Sequence, residues 1–412
     1  MTRFWHPFAD MGRVVADGEL VLERGEGVRV WDTEGRSYLD STAALWYCMV
    51  GYGREEIADA AAAQLRKLAS YSSYHDLATP PAIELAERVA AMAPVDDSVV
   101  FFTSGGGDAI DSAAKMARRY WSLLGHPERT VMIARERAYH GMNAFGTSLA
   151  GAPSFSEGVG ELVRDVVHVP WDSVDAVRDA IDERTAAFFC EPVIGAGGVL
   201  PPPPGYLEGV RQACRDAGVL FVADEVITAF GRLGHWFASE RFGLEPDLIT
   251  FAKGITSGYL PLGGVVVAPH VREPFWQREA GLWRHGYTYS GHATVAAAAL
   301  ANLDLFESDG ILARANELEQ ELTDALAPLV EHPLVTEVRS GTGVLAAVQL
   351  VDPTLVDSAM AAARANGILT RGLLGGALQI SPPLVIERSE LDELARGLAG
   401  ALDACAPAGV AV

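Results

Sequence analysis

The feature that most constrains the fold of this chain is a series of short, continuously apolar runs separated by amphipathic helical stretches. We interpret the apolar runs as strands over 98–103, 186–190, 219–223, 247–252 and 264–268. Because a strand that is apolar on both faces must be covered on both, such runs favour a parallel sheet between two helical layers. Helices predicted over 108–124 and 206–217 alternate with the strands. This alternation predicts an α/β domain with right-handed crossovers.

The two ends of the chain have a different pattern. A hairpin is predicted from strands 28–32 and 38–40 around Glu34-Gly35. The C-terminal part combines helices such as 390–402 with short strands at 334–339, 344–350, 368–371 and 377–381. Ser389 and Asp392 resemble a capping box for that helix, and Thr79-Pro80 predicts the start of a helix over 82–92. We therefore predict a large domain over 51–300 and a smaller α+β domain built from 1–50 and 301–412.

Charge and composition exclude several classes of partner. The 412 residues contain 54 acidic and 32 basic side chains, a net charge of −22, which opposes binding to nucleic acid or to an anionic membrane. The sequence has no apolar run of the ~18 residues that span a bilayer, and its first residues do not resemble a signal peptide. The four cysteines form no CxxC pair, which favours reduced thiols. These features predict a soluble, cytoplasmic protein.

Three chemical groups follow predicted strands, where ligands bind in open α/β sheets. The glycines Gly105-Gly106-Gly107 lead into a helix whose N-terminus favours an anion, although a purely structural turn has the same appearance. Asp224 ends the run VLFVA and is either a ligand carboxylate or a helix cap. Lys253 ends the next strand and is either a surface lysine or a buried amine able to form a Schiff base. Together they supply the phosphate site, acid and amine that pyridoxal 5′-phosphate requires.

Specific motifs then identify a family. The segment DEVITAFGR at 224–232 resembles the DEVxTGFGR motif of class III (ω-aminotransferase-like) enzymes, which are fold-type I pyridoxal-phosphate proteins. The resemblance covers nearly the whole chain. Further matches are FAKG at 251–254 followed by SGYLP at 257–261, GYTYSGH at 286–292, YHG at 139–141 and SPPL at 381–384. The chain departs from the family pattern at Gly105-Gly106-Gly107-Asp108, where Ser-Gly-Ser-Glu is usual.

The resemblance implies a role for each matching position around the cofactor. Lys253 would carry the cofactor covalently and shuttle the substrate proton, and Asp224 would pair with the pyridine nitrogen. Val226 would pack beneath the ring, with Tyr139 on its other face and His140 beside it. The cofactor phosphate would bind to the backbone N–H groups of Gly106 and Gly107.

The remaining implied roles concern the substrate and the neighbouring subunit. Thr288 would reach the phosphate of the partner subunit, which implies a homodimer with shared sites and leaves a tetramer open. Arg371 matches the mobile arginine that receives substrate carboxylates, with a surface arginine as the alternative. Trp46 would form a pocket wall, although core packing explains it equally well. No histidine spacing indicates a metal site.

The leading functional hypothesis is a ping-pong aminotransferase that moves an amino group from an amine or ω-amino acid to an oxo acid. Pyruvate is favoured as the acceptor because no second arginine clearly fits a distal carboxylate. The alternatives are a pyridoxal-phosphate aminomutase or decarboxylating relative, and a non-catalytic regulatory protein on the same fold. A nicotinamide-dependent oxidoreductase is disfavoured because no GxGxxG motif with a following acid is present.

Overall fold

The computed structural model describes residues 2–406 and contains three β-sheets. Its strands are β1 (Leu22–Glu26), β2 (Arg29–Asp32), β3 (Ser37–Asp40), β4 (Val99–Thr103), β5 (Val131–Arg135), β6 (Val166–Val169), β7 (Thr185–Cys190), β8 (Leu220–Asp224), β9 (Leu248–Phe251), β10 (Gly263–Val267), β11 (Val335–Arg339), β12 (Ala346–Leu350), β13 (Ile368–Leu369), β14 (Gly372–Leu373) and β15 (Ala377–Ile380). The helices are Met11–Asp17, Ala43–Trp46 (kinked), Glu55–Leu68, Pro80–Met92, Gly106–Leu123, Ala144–Leu149, Val174–Ala180, Tyr206–Ala217, Ala238–Arg241, Pro269–Trp276, Ala293–Ser308, Ile311–Leu326, Val356–Ala365 and Arg388–Cys405.

The central sheet has seven strands in the order β4-β10-β9-β8-β7-β5-β6. The neighbours from β9 to β6 pair in parallel, as the continuous apolar runs predict. Every residue of β7, β8 and β9 is buried, because helices cover both faces. The exception is β10, which pairs antiparallel with both β4 and β9. The predicted α/β class is confirmed, and its mainly parallel sheet carries one reversed strand.

The strand ends of this sheet create the site. Because β8 and β9 are parallel neighbours, the residues that follow their carboxyl ends emerge at one edge. The helix Gly106–Leu123 begins directly after β4 and presents its N-terminus at that edge. Val131–Arg135 and Val166–Val169 lie on the far side of the sheet and were not predicted as strands, although the first is fully buried.

Both ends of the chain contribute to the two smaller sheets. β13 pairs in parallel with β3, so Ile368 lies opposite Leu39 and the C-terminal part extends the N-terminal hairpin. The other small sheet has the order β11-β12-β15-β14. The fully buried Arg232 connects the large sheet's loops to this region by donating to the carbonyl oxygens of Val344 and Pro382. The N- and C-terminal segments therefore fold together, as the sequence predicts.

Several local predictions were wrong in detail. The strand predicted over 368–371 ends at Leu369, and Gly372–Leu373 pairs instead with β15. The helix predicted to be capped by Ser389 begins two residues earlier than expected, at Arg388, with Glu387 as the N-cap and Glu390 completing the capping box. A glutamate thus takes the place that the pattern assigned to serine, because its longer side chain still reaches the first-turn N–H groups. Thr79 is the N-cap of Pro80–Met92 but makes no side-chain capping bond.

We searched the helices of residues 2–406 for a possible bilayer span. None of them has the length and apolar character that crossing a membrane requires.

Candidate active site

A cavity of about 190 Å³ lies where the ends of β8 and β9 meet the start of helix Gly106–Leu123. It is lined by Leu45, Gly106, Gly107, Ile110, Tyr139, His140, Gly141, Glu191, Asp224, Val226, Ile227, Ala252 and Lys253. Seven of the predicted site residues are therefore brought together. A larger surface cavity of about 620 Å³ at 282–286 contains none of them, so size does not identify the site.

Lys253 follows β9 at the start of the short 3₁₀ turn Lys253–Thr256. Its backbone is left-handed, with φ of 49°, which turns the side chain back from the strand direction into the cavity lining. Burial lowers the pKa of the amine to about 8, opposed by the negative charges of Asp224 and Glu191. Lys253 is half-buried and lines the cavity, so the structure favours the buried amine over the surface lysine. A neutral amine is consequently accessible near neutral pH, as nucleophilic attack on a carbonyl requires.

Asp224 ends β8 and is almost fully buried. Its Oδ2 lies 2.6 Å from Nδ1 of His140, and its Oδ1 accepts from the Val226 N–H and the Thr250 hydroxyl, both at 3.1 Å. With Asp224 ionised, this contact assigns the Nδ1 proton to His140. Three donors hold the carboxylate in one orientation. A helix-cap role is absent, because these contacts involve no helix terminus.

The glycines form a close-packed start to the helix. A Cβ on Gly106 would lie 2.8 Å from Cγ1 of Val226, and one on Gly107 would lie 3.2 Å from Oδ1 of Asn143. Only glycine lets the helix approach Val226 so closely, and the N–H groups of the first turn have no intrahelical partner. Asp108, in place of the usual glutamate, accepts a hydrogen bond from the Asn143 amide. The arrangement suits an anion at the helix N-terminus.

These residues fit pyridoxal phosphate by their own chemistry. The buried Nε2 of His140 has no hydrogen-bond partner among residues 2–406, beside a carboxylate with a fixed orientation. The cavity also holds an anion-binding helix start and a buried amine. A ring with a basic nitrogen, a phosphate and an aldehyde complements these three features.

Trp46 and Arg371 lie next to the amine. The ring centroid of Trp46 is 5.6 Å from Nζ of Lys253 and 4.3 Å from the guanidinium carbon of Arg371. Burial lowers the pKa of Arg371 to about 10, and its Nε donates to Oε1 of Gln379 at 2.8 Å. Among the described ion pairs, none involves Arg371, so its outer nitrogens are free to bind an anion. Trp46 is both buried and beside the site, so the two roles predicted for it, core packing and pocket wall, are compatible.

Tyr139 and Val226 both line the cavity. The Tyr139 ring packs against Phe155, with centroids 5.1 Å apart, and against Phe8 at 6.3 Å. Val226 packs against Gly106. The cofactor ring expected between Val226 and Tyr139 stays a prediction.

Trp46 and Arg371 lie beside the cavity without lining it, whereas the predicted site residue Thr288 is not brought near it. Thr288 lines a separate surface cavity with Tyr71, Tyr74 and the exposed Tyr289. Within one chain Thr288 therefore does not contact the phosphate cup, as we call the helix start at Gly106 and Gly107. The sequence analysis predicts that Thr288 reaches the phosphate of the partner subunit, not that of its own chain.

Two further residues of the site were missed by the sequence analysis. Glu191 follows β7, and its two carboxylate oxygens accept from the backbone N–H groups of Tyr139 at 3.1 Å and Gly195 at 3.0 Å. Burial raises its pKa, as does Asp224, whereas His140 lowers it. Gln379, in β15, joins Arg371 to the backbone carbonyl of Thr42. The strand-end rule that found Asp224 also applies to Glu191, whereas Gln379 gives no such signal.

Comparison with known proteins identifies the family. The sequence model of the class III aminotransferases matches residues 13–402. The chain belongs to the class III aminotransferase family. It is 37% identical to the putrescine–pyruvate aminotransferase of Pseudomonas aeruginosa, over 94% of this chain and 91% of that protein.

Solved structures give the same assignment. An (S)-enantioselective ω-transaminase from Thermomicrobium roseum superposes with a TM-score of 0.95 at 39% identity, covering 98% of this chain and 96% of that one. An ω-transaminase from Pseudomonas jessenii in complex with PMP has a TM-score of 0.94 at 33% identity, with the same coverages. The predicted family, fold type I and enzyme class are confirmed. As a class III aminotransferase, the protein depends on pyridoxal 5′-phosphate and uses amine and oxo-acid substrates.

Proposed function

We propose that this aminotransferase moves an amino group from an amine or ω-amino acid to pyruvate, in two half-reactions at one site. One observation carries the proposal: the buried amine of Lys253 shares its cavity with Asp224 and has Arg371 close by, across Trp46. The amine, the carboxylate and the anion receptor are the groups that transfer between an amine and an oxo acid requires.

Bound pyridoxal phosphate supplies the reactive carbonyl carbon and a ring that withdraws electrons from the substrate. Lys253 would move the proton, since its lowered pKa lets Nζ both accept and return it near neutral pH. Asp224 would hold a proton at the ring nitrogen, because a carboxylate within a few ångströms favours the cationic form. The N–H groups of Gly106 and Gly107 would bind the phosphate.

Arg371 and Trp46 would select the substrates. A guanidinium binds a carboxylate through two parallel hydrogen bonds, and Arg371 keeps nitrogens available for this after bonding to Gln379. Arg371 lies beside the cavity, next to Trp46, and the lining itself contains no arginine. One carboxylate, as in pyruvate, is therefore accommodated more readily than the two of 2-oxoglutarate. The name of the P. aeruginosa relative, a putrescine–pyruvate aminotransferase, supports this acceptor.

We also propose that the active unit is a homodimer. Thr288 follows Tyr287, which donates to the carbonyl of Asp108 at the chain's own cup, while Thr288 itself lies on the surface beside the exposed Tyr289. The exposure of this segment supports an interface with a second copy, in which Thr288 would bind the partner's phosphate.

The proposal is tested by following Lys253. Borohydride treatment of the holoenzyme should leave a pyridoxyl group on Lys253, found by peptide mass spectrometry. Lys253→Ala should lose at least about 10³-fold in kcat with an amine donor and pyruvate, since both the covalent link and the proton carrier are removed. The exposed Lys67, on helix Glu55–Leu68, gives the control Lys67→Ala, which should behave as wild type.

A panel of donors against pyruvate and 2-oxoglutarate tests the substrate assignment. Pyruvate turnover with little use of 2-oxoglutarate is expected. Strong turnover with 2-oxoglutarate alone would overturn the acceptor assignment. Product formed from one substrate with no oxo acid present would indicate a mutase or decarboxylase instead.

A further inference from the structure

The segment that carries Trp46 is strained. Ala43, Ala44 and Trp46 have φ angles of 47°, 56° and 61°, in the left-handed region that residues with a Cβ rarely adopt. Three such residues within four positions persist only when surrounding contacts hold them there. The strain is next to the proposed substrate site, since Leu45 lines the cavity and Trp46 contacts Arg371.

One carboxylate supplies those contacts. Asp40, at the end of β3 and 2% exposed, accepts four hydrogen bonds. Its Oδ1 receives the Thr42 N–H at 2.8 Å and the Thr42 hydroxyl at 2.7 Å, and its Oδ2 receives the Ala44 N–H and the Tyr52 hydroxyl, both at 2.6 Å. An ionised carboxylate can accept all four, because it has acceptor sites only.

These bonds fix the path of the chain on both sides of the turn formed by residues 42–46. The Thr42 carbonyl accepts the Trp46 backbone N–H at 3.0 Å, so the residue bound by Asp40 also closes the turn. The same carbonyl accepts from Gln379, which holds Arg371. The indole Nε1 of Trp46 has no hydrogen-bond partner among residues 2–406, so the side chain is positioned by this backbone and by packing.

We propose that Asp40 is a positioning residue that sets the Trp46 wall of the substrate pocket and thereby the size of amine the enzyme accepts. The proposal rests on the function proposed above. Asp40 itself lies outside the lining of the cavity and acts through the turn. Loss of its four bonds lets the turn relax toward ordinary backbone angles and moves the indole away from Lys253.

Asp40→Asn tests this with almost no change of shape. The amide keeps one acceptor oxygen, and whichever way it turns, its NH2 group faces a backbone N–H that can only donate, that of Thr42 or that of Ala44. We expect the ratio of kcat/KM for a bulky donor, 1-(1-naphthyl)ethylamine, to that for sec-butylamine to rise about tenfold, since a retracted wall enlarges the pocket. We call the four hydrogen bonds of Asp40 the clamp. In Asp40→Asn/Trp46→Ala the ratio should equal that of Trp46→Ala alone, because the clamp then has no indole to position.

Asp32→Asn is the matched control. Asp32 is also buried, at 5% exposure, and accepts the N–H groups of Glu34 and Arg36 and the Tyr38 hydroxyl within the β2–β3 hairpin. It should lose thermal stability comparable to Asp40→Asn while leaving the donor ratio unchanged. A general loss of stability is thus separated from a change of the pocket.

A second readout does not require activity. In holoenzyme labelled with 5-fluorotryptophan, the ¹⁹F resonance of Trp46, one of eight tryptophans, is assigned by its absence in Trp46→Phe. Asp40→Asn should shift or broaden it and Asp32→Asn should not. An unmoved resonance and an unchanged donor ratio would overturn the role of Asp40. A wild-type enzyme with no transamination of any donor would instead overturn the proposed function, and the resonance would still test the clamp.

Discussion

At the scale of single residues, burial of the Lys253 amine lowers the stability of the folded protein. The enclosed side chain has little water to stabilise its charge, and the nearby Asp224 and Glu191 offset only part of that loss. Its pKa falls from 10.5 to about 8. The unfolded chain therefore binds more protons than the folded chain between these two values, and stability rises with pH across that window.

Lys253→Met should remove this penalty. Below pH 8 the cofactor-free variant should be more stable than the cofactor-free wild type by up to about 3 kcal/mol, from a pKa shift at ~1.4 kcal/mol per pH unit. The difference should shrink from pH 8 to 10.5, where the unfolded lysine also loses its proton. Urea unfolding of both proteins at pH 7, 9 and 10.5 measures it. A difference independent of pH would contradict the buried-amine account.

The sequence allowed the reactive residues to be predicted, because each follows an apolar strand. Lys253 and Asp224 obey that rule, and so does the missed Glu191. Asp40 also ends a strand, but β3 is short and partly exposed, so it did not stand out. The strained angles at Ala43 and Ala44 could not be predicted from alanine, which favours ordinary helical or extended backbone.

At the scale of elements, the helix Gly106–Leu123 couples the large sheet to the proposed phosphate site. Its first residues pack against Val226 at a distance that leaves no room for a methyl group. Asp111 of the same helix accepts the N–H groups of Phe145 and Gly146, which fixes it against the start of helix Ala144–Leu149. The cup is therefore held from two sides.

Gly106→Ala should weaken cofactor binding by about tenfold, because overpacking typically costs about 1–3 kcal/mol and ~1.4 kcal/mol corresponds to a factor of ten. Gly105→Ala is the control: its φ of 174° suits any residue, and an added Cβ meets nothing within 4 Å. Absorbance titration of the cofactor-free proteins gives both affinities. Equal affinities for the two variants would show that the close contact with Val226 does not determine how tightly the phosphate cup binds the cofactor.

The type of element was easier to predict than its limits. Tyr206–Ala217 matches its prediction at both ends, because a strong apolar stripe lies between two glycines with left-handed φ. The start of Arg388–Cys405 was misplaced because two capping patterns overlap in one stretch of polar residues. The reversed direction of β10 could not be predicted either. Its apolar run reads the same in either orientation, and only the connections decide.

At the scale of the whole molecule, the fold brings distant parts of the chain to one site. Trp46 and Arg371 are in contact although 325 positions separate them, because β13 pairs with β3. The domain limits at residues 50 and 300 stay a prediction, and residues 407–412 of the C-terminal segment lie outside the described part of the chain. The role proposed for Thr288 would extend the same principle to a second subunit.

Hybrid dimers test that extension. Lys253→Ala and Thr288→Ala should each be poorly active alone. After mixed refolding, each hybrid contains one site with both the intact lysine and the intact threonine, so activity should return to about a quarter of wild type. Sedimentation establishes the dimer. An absence of any recovery in confirmed hybrids, or full activity in a monomer, would contradict a shared site.

The clamp at Asp40 has an evolutionary consequence. In the two proposals, the reaction depends on the carboxylate of Asp224, and the range of amines admitted depends on that of Asp40, which lies in a different sheet. Mutations around Asp40 can therefore change the range of amine substrates without removing catalytic activity. New substrate ranges can then evolve through variants that all remain active.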